Sequence, residues 1–465
     1  MTNSFSTRIK QALADPQLRS NFRGAMDFLR NKRRLAFSDE DEWEALKKQG
    51  AAIRQDAIQR LPELLTQLEQ QCLNNGIQVH WAEDDQDANN IVLGIAQQHQ
   101  SKLVIKGKSM ATEEIELNQF LEQHNIECIE SDMGEYIVQL DNEKPSHIIM
   151  PAIHKNTAQI TELFENKLGI STPEGDVDAL IGVGRTILRK KFEQADIGIS
   201  GVNFAIADTG TLCLVENEGN GRLSTTAPSI HIALMGIEKV IPNIKALPTL
   251  QKLLTRSATG QHITSYLNLI SSPRKPDELD GPKAVHLILL DNGRANISQD
   301  EQLKSTLSCI RCGACMNHCP VYTRIGGHAY GSTYPGPIGQ ILTPQLKGLE
   351  QEGELLDACS LNGACGEACP VEIDLPELIR ILRHRRQVDV HKPWSLEALV
   401  WFIWLQVHQY PRLYRLTTKF AALFRSLKLK TPTNWTNTRT LPKPAKLGLH
   451  KQMQRHSKTK SEAEK

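Results

Sequence analysis

An α/β domain followed by a mainly α-helical segment and a helical extension is the fold class this sequence predicts, on three observations. Short apolar runs alternate with helical patterns between about residues 70 and 295. Strand character then fades after residue 300, where seven of the ten Cys crowd between Cys309 and Cys369. A Trp-rich, basic stretch closes the chain from residue 391.

Residues 1–70 form a helical lead-in, because Phe22, Met26 and Leu29, then Trp43 and Leu46, then Ile58, Leu61, Leu64, Leu65 and Leu68 recur at helical spacing among charges. From Ile77 the rhythm changes to IQVHWA, a helix near Asp87 to Gln98, KLVIKGK, a helix near Thr112 to His124, and IECIES. The same alternation is read through YIVQL, SHIIMPAI, a helix near Thr157 to Leu168 and the glycine-bracketed strands between Ala195 and Ile241. AVHLILL (284–290) is the last strand of the 70–295 domain. The Cys-rich domain spans 300–390 and ends in the amphipathic helix LPELIRILRHRRQV; the extension covers 391–465, with its last thirty or so residues loosely ordered.

With 465 residues, 40% hydrophobic and 23% charged, the chain has the profile of a globular protein of two or three domains. The net charge of +1 hides an asymmetry: from His391 onward, fifteen Lys and Arg face only Glu397, Glu462 and Glu464, so this end is near +12 and the rest near −11. By charge alone such an end meets an anionic partner, a lipid surface or nucleic acid, or is simply solvated. No nucleic acid is expected. The N-terminus has no apolar stretch after its first basic residues, and the longest apolar run, Leu396 to Val407, is too short to span a bilayer, so a cytoplasmic protein is expected. Peripheral membrane contact of the Trp-rich segment is the less favoured reading beside packing on the protein or a partner.

Cys309, Cys312, Cys315, Cys319 and Pro320 spell C-x2-C-x2-C-x3-C-P, the bacterial iron-sulfur run whose fourth Cys serves the neighbouring cluster. A second run, Cys359, Cys365, Cys369 and Pro370, follows, with Asn362 where the pattern calls for Cys. By the crossed rule one cluster takes Cys309, Cys312, Cys315 and Cys369. The other takes Cys319, Cys359 and Cys365, with Asn362 at an open corner. Two [4Fe-4S] clusters are expected, the second alternatively [3Fe-4S] or completed by a ligand other than Cys, with His328 as one candidate. Zinc also binds four thiolates, but closed zinc sites use paired CxxC knuckles and no interlocked fourth ligand. A ferredoxin-like two-cluster module suits an electron carrier better than a catalyst acting alone.

The stretches ADTGTLCLVENEGNGRL (207–223), PSIHIALMGIEKVIP and KSMATEEIELN (108–118) resemble the lactate-utilisation (LUD) domain. With the Cys module and Trp-rich extension behind them, the chain as a whole is similar to the lactate utilization protein B family, over roughly 20–430. That resemblance implies an iron-sulfur subunit of a three-protein system oxidising L-lactate to pyruvate, beside a Cys-rich redox subunit and a second LUD protein. It also implies an α/β domain similar to the ribose-phosphate isomerase and CoA-transferase folds.

Within the α/β domain, Asp208, Thr209, Glu216, Glu218 and Arg222 combine acids, a cation and flexible glycines that suit a phosphate or small carboxylate. Equally, they form a turn-rich hairpin whose acids cap backbone groups. Lys106, Lys108 and Ser109 follow a strand and would face a crevice at strand C-termini. A substrate bound there, with the clusters taking its electrons, is the alternative function; a cluster-based sensor of iron or oxidants is a third. GVGRTILRK (182–190) lacks the glycines of a dinucleotide loop, and His231 sits in an apolar run that favours a buried structural role.

Overall fold

The structure is a computed structural model describing residues 4–173, 175–389, 396–424 and 443–463. Met1–Gln387 form one compact unit and Val388–Lys465 a second. The first opens with four helices, Phe5–Ala14, Pro16–Ala36, Glu40–Gln59 and Leu61–Asn74; three of them are N-capped by Ser4, Asp15 and Asp39, whose side chains accept backbone N–H groups.

The apolar runs form β1 (Gln78–Ala82), β2 (Leu103–Gly107), β3 (Glu127–Glu130), β4 (Ile197–Gly201), β5 (Phe204–Ile206), β6 (Thr211–Glu216), β7 (Ile230–Gly236), β8 (Val240–Ile241), β9 (Tyr266–Ile270) and β10 (Ala284–Leu290). Six of them make an all-parallel sheet in the order β1-β10-β7-β4-β2-β3. Alternate residues of β7 and β10 face opposite layers: Ala233, Met235, Leu287 and Leu289 meet Leu64 and Leu68 of the lead-in, whereas Ile232, Leu234, Ile288 and Leu290 meet Val92 and Ile95. A sheet buried on both faces reads as continuous apolar runs, as these strands do. The other four make a smaller sheet, β8-β5-β6-β9.

Two runs read as strands are not strands. YIVQL lies in the helix Met133–Leu140, because Asp132 caps it by accepting from Gly134 N and Glu135 N, and Tyr136 and Ile137 then bury into different clusters. SHIIMPAI is a run of turns organised by His147, whose Nδ1 accepts from Ile149 N at 3.0 Å. The expected helix over 112–124 is two short ones, Met110–Glu114 and Leu117–Gln123, broken at Glu116 by a φ of 52°. GVGRTILRK lies inside the helix Val177–Gln194, and His231 is fully buried with Nε2 2.9 Å from Ser200 Oγ.

The Cys module is built from short helices around Gly336–Lys347 and ends in Leu375–Asp389. The second unit contains Leu396–Gln409, Pro411–Leu423 and, where a loosely ordered end was expected, Leu449–Ala463; Thr431-Pro432 lies outside the described residues. No helix among the described residues is long and apolar enough to cross a membrane.

Candidate metal centre and adjoining crevice

The two Cys runs are structural repeats fifty residues apart, 309–320 on 359–370. Each follows a 3-10 turn, Lys304–Ser308 or Gly353–Ala358, and each leads into a four-residue helix, Ala314–Asn317 or Ala364–Glu367. Between these lie two left-handed residues, Arg311 (φ 60°) and Gly313 (φ 73°) in the first run, Leu361 (φ 54°) and Gly363 (φ 87°) in the second. That turn aims backbone N–H groups at sulfur: Arg311 N to Cys309 Sγ at 3.4 Å and Leu361 N to Cys359 Sγ at 3.3 Å. Further on, Tyr322 N donates to Cys319 Sγ at 3.4 Å and Ile373 N to Cys369 Sγ at 3.3 Å. Such bonds stabilise the negative charge of iron-bound thiolate.

All seven thiols are free of disulfides. Burial pushes Cys312 and Cys365 up to about 12 and Cys369 up to about 11. Iron therefore has to displace protons, so loading is favoured as pH rises. The thiols also act on one another, in two groups that meet at Cys315 and Cys365. Cys312 is affected by Cys309 and Cys369, and Cys315 by Cys309, Cys312, Cys365 and Cys369; Cys365 is affected by Cys319 and Cys359. Cations attend the first set: Arg33 acts on Cys312 and Cys369, and the Arg311 guanidinium and Cys309 act on one another. Asn362 is exposed, although its counterpart Cys312 is buried. His328 is engaged elsewhere, with Nε2 2.6 Å from Lys144 O and its ring 4.5 Å from that of His154.

A cavity of about 880 Å³ opens at the C-terminal ends of β2, β4 and β7. Lys108, Glu216 and Glu218 line it, as do Ser109 and Asp132. Lys108 is ion-paired with Asp132. Burial, then the Asp132 charge, raises the Glu218 carboxyl, and burial raises Glu135 well above the usual carboxylate range. Glu216 caps the helix Asn220–Thr226, accepting from Gly221 N and Arg222 N at 2.7 Å each. Arg222 itself and the turn Asp208-Thr209 are exposed and do not line the cavity; Asn75 Nδ2 holds Thr209 O at 2.8 Å. Lys106 is spent on Glu113 and Glu130, both at 2.6 Å.

The wall toward the Cys module went unread in the sequence. Glu238, Lys239, Arg294, Arg311 and Tyr334 line it. Arg294 binds Glu114 at 2.6 Å and Glu238 at 2.7 Å, Arg311 binds Glu238 at 3.1 Å, and Tyr334 Oη donates to Glu114 at 2.6 Å. Gly236 makes room for this: a Cβ there would stand 2.1 Å from Glu238 Oε2. Burial works against the Glu238 charge, but Arg294 and Arg311 hold the carboxyl down at about 2. Burial, with Arg311 next, lowers Lys239 to about 7. Arg311 is the one signal the sequence offered, a cation inside the first Cys run.

Residues 65–290 match the LUD domain, 305–373 the 4Fe-4S dicluster domain, and 389–458 the C-terminal region of lactate utilisation protein B. Lactate utilization protein B of Bacillus subtilis is 44% identical over 388 residues, 83% of this chain and 80% of that one. Its Bacillus pumilus counterpart is 42% identical over 95% of both chains. The chain belongs to the lactate utilization protein B family. An uncharacterized electron transport protein, YkgF, of Escherichia coli is 43% identical over 82% of this chain and 80% of its own. A solved DUF162 family protein from Deinococcus radiodurans shares 14% identity over 50% of this chain and 98% of its own at a TM-score of 0.28, too slight a likeness to bear on the fold. As a lactate utilization protein B family member the protein is an iron-sulfur subunit, and its thiol-only donor set with N–H groups aimed at sulfur fits such clusters.

Proposed function

We propose that this protein is the electron-relaying subunit in oxidation of L-lactate to pyruvate and is not catalytic alone. The observation carrying the reading is the repeated Cys turn, which in both runs aims backbone N–H groups at sulfur. Cys309, Cys312, Cys315 and Cys369 hold the first cluster; Cys319, Cys359 and Cys365 hold the second, with Asn362 leaving a corner open. When bound, the clusters supply one-electron transfer. The chain's part is to bury the first site among cations, to supply N–H groups to sulfur, and to leave the second site's corner at the surface. The module is ferredoxin-like in this arrangement, and the α/β domain similar to ribose-phosphate isomerase and CoA-transferase folds. The helical lead-in (1–70), α/β domain (70–295), cluster domain (300–390) and extension (391–465) serve one cytoplasmic subunit, whose partners are a Cys-rich redox subunit and a second LUD protein. The crevice residues Lys108, Glu216 and Glu218 offer a small ligand a polar wall.

Iron and acid-labile sulfide, with EPR on anaerobically purified protein before and after dithionite, test the reading. Two interacting cluster signals on reduction are expected; zinc without iron would overturn it.

A further inference from the structure

The crevice and the first cluster site share a wall. Arg311 lines the crevice, donates its backbone N–H to Cys309 Sγ, and carries a guanidinium that feels the Cys309 charge. It is 7% exposed and keeps Nη1 without a partner. Lys239, at the end of the 3-10 turn Ile237–Lys239 that follows β7, lines the same wall, and among the described residues no hydrogen bond or ion pair joins its Nζ to the protein. The charges acting on it are Arg311, Glu238, Cys309 and Arg54. Four cations meet here, Arg54, Lys239, Arg294 and Arg311, against two carboxylates, Glu114 and Glu238. A buried donor without an acceptor is costly, as is a cation set among a surplus of like charges, and an incoming anion relieves both.

We infer that the crevice binds a small organic carboxylate at Lys239 and Arg311, and that its occupancy and the oxidation state of the cluster held by Cys309 control one another. The same cations that receive the carboxylate neutralise the cluster's negative charge through Cys309. Adding one electron to the cluster makes that charge more negative and draws on these cations, so the anion is held less tightly. By reciprocity the bound anion makes the cluster harder to reduce. The electron comes from the titrant, and no bond to the anion forms or breaks. Apolar side chains elsewhere in the cavity, Phe28, Met110 and Leu254 among them, accommodate the rest of the ligand. The inference rests on the proposed assignment of Cys309 to the first cluster.

Calorimetry and EPR-monitored dithionite titration of the full-length, cluster-loaded protein test it, with pyruvate as the anion and its neutral amide, pyruvamide, as control. Pyruvate is expected to bind the oxidised protein at least tenfold tighter than pyruvamide, and to lower the midpoint of one cluster only. A tenfold preference for the oxidised form corresponds to about 59 mV for a one-electron couple. Lys239→Met should lose both effects and Lys239→Arg should retain them. Equal binding of pyruvamide, an unmoved midpoint at saturating pyruvate, or wild-type behaviour in Lys239→Met would each overturn the inference. The comparison of pyruvate with pyruvamide on wild-type protein stands even if a variant fails to fold. If EPR and iron content find no cluster on Cys309, the electron-relay reading fails, while calorimetry still reports whether the anion site exists.

Discussion

Replacing Glu238 by Gln removes the carboxylate that joins Arg294 to Arg311. Its two oxygens receive Arg294 Nε at 2.7 Å and Arg311 Nη2 at 3.1 Å, and the residue is 1% exposed. Gln retains one acceptor and turns an amide N–H₂ toward a guanidinium, so one charge-assisted bond is lost, worth about 1.5–3 kcal/mol. The cations near Cys309 also lose their shared counter-charge, and breaking a buried pair costs about 3–5 kcal/mol in all. The proton affinity gives a similar figure. The carboxyl stands at about 2 in the folded protein against 4.5 unfolded, which amounts to about 3 kcal/mol. This depressed value stabilises fully above 4.5 and is lost as pH falls toward 2.

Anaerobic urea unfolding of the cluster-loaded protein should therefore show Glu238→Gln less stable by about 3–5 kcal/mol. The exposed control Glu350→Gln should move by less than about 0.5 kcal/mol. The difference between wild type and Glu238→Gln should be larger at about pH 5 than at about pH 8, because Glu238 is ionised throughout but the Lys239 charge it supports is lost as pH rises through about 7. The first cluster's midpoint should rise, because Arg311, Lys239 and Arg54 are left less compensated beside Cys309. A loss below about 1 kcal/mol would refute the claim that this carboxylate binds the two halves together.

Arg54 donates to Ser308 O at 3.2 Å, Val240 O and Leu307 O at 3.0 Å, and Glu238 O, so Arg54→Met strands four buried carbonyls. A loss of at least about 4 kcal/mol is expected, read by urea unfolding and by a lower iron content. Two glycines should respond oppositely. A Cβ at Gly339 would lie 1.6 Å from Tyr334 O, so Gly339→Ala should not yield folded protein, whereas Gly94 has nothing within 4 Å and sits exposed in the helix Asp85–Gln98. Thermal unfolding should find Gly94→Ala more stable by about 0.5–1 kcal/mol. Asn362→Cys should slow iron loss on air exposure, followed by iron content and EPR; unchanged loss would mean the open corner is not the weak point.

The parallel strands were legible because both faces of their sheet are buried, which leaves little polar alternation to confuse the reading. β9 was not, since Tyr266, Leu267 and Leu269 are exposed and its pattern resembles a loop. YIVQL failed for the reverse reason. Five residues rich in β-branched and aromatic side chains suit a strand, but Asp132 immediately upstream supplies two cap bonds that a strand does not use. In the site, the Cys of both runs were legible from spacing even though Asn362 interrupts the second. The crevice was half legible. Lys108, Glu216 and Glu218 lie beside glycines and strand ends, whereas Glu114, Glu238, Arg294 and Arg311 come from four distant stretches and meet only after folding.

Packing crosses the join between the α/β sheet and the Cys module. Phe204, Ile206 and Cys213 of the smaller sheet share one cluster with Leu250 and Leu253, with Ile310, Ala314 and Leu356 beside the Cys runs, and with Ile379 of the closing helix. Phe22, Met26 and Leu29 of the lead-in likewise pack with Met316, Tyr322 and Ile325. The lead-in therefore covers the cluster loops as well as completing the α/β layer through Leu64 and Leu68. Cys312, Cys365 and Cys369 belong to that shared core, so pulling iron from them disturbs side chains that also hold the smaller sheet. Metal binding that organises a core contributes to folding free energy. Chelation should thus lower the stability of the α/β domain along with that of the Cys module, in one cooperative transition and not two. An unfolding curve in which the sheet melts unchanged after iron removal would mean the shared core is too weak to couple them.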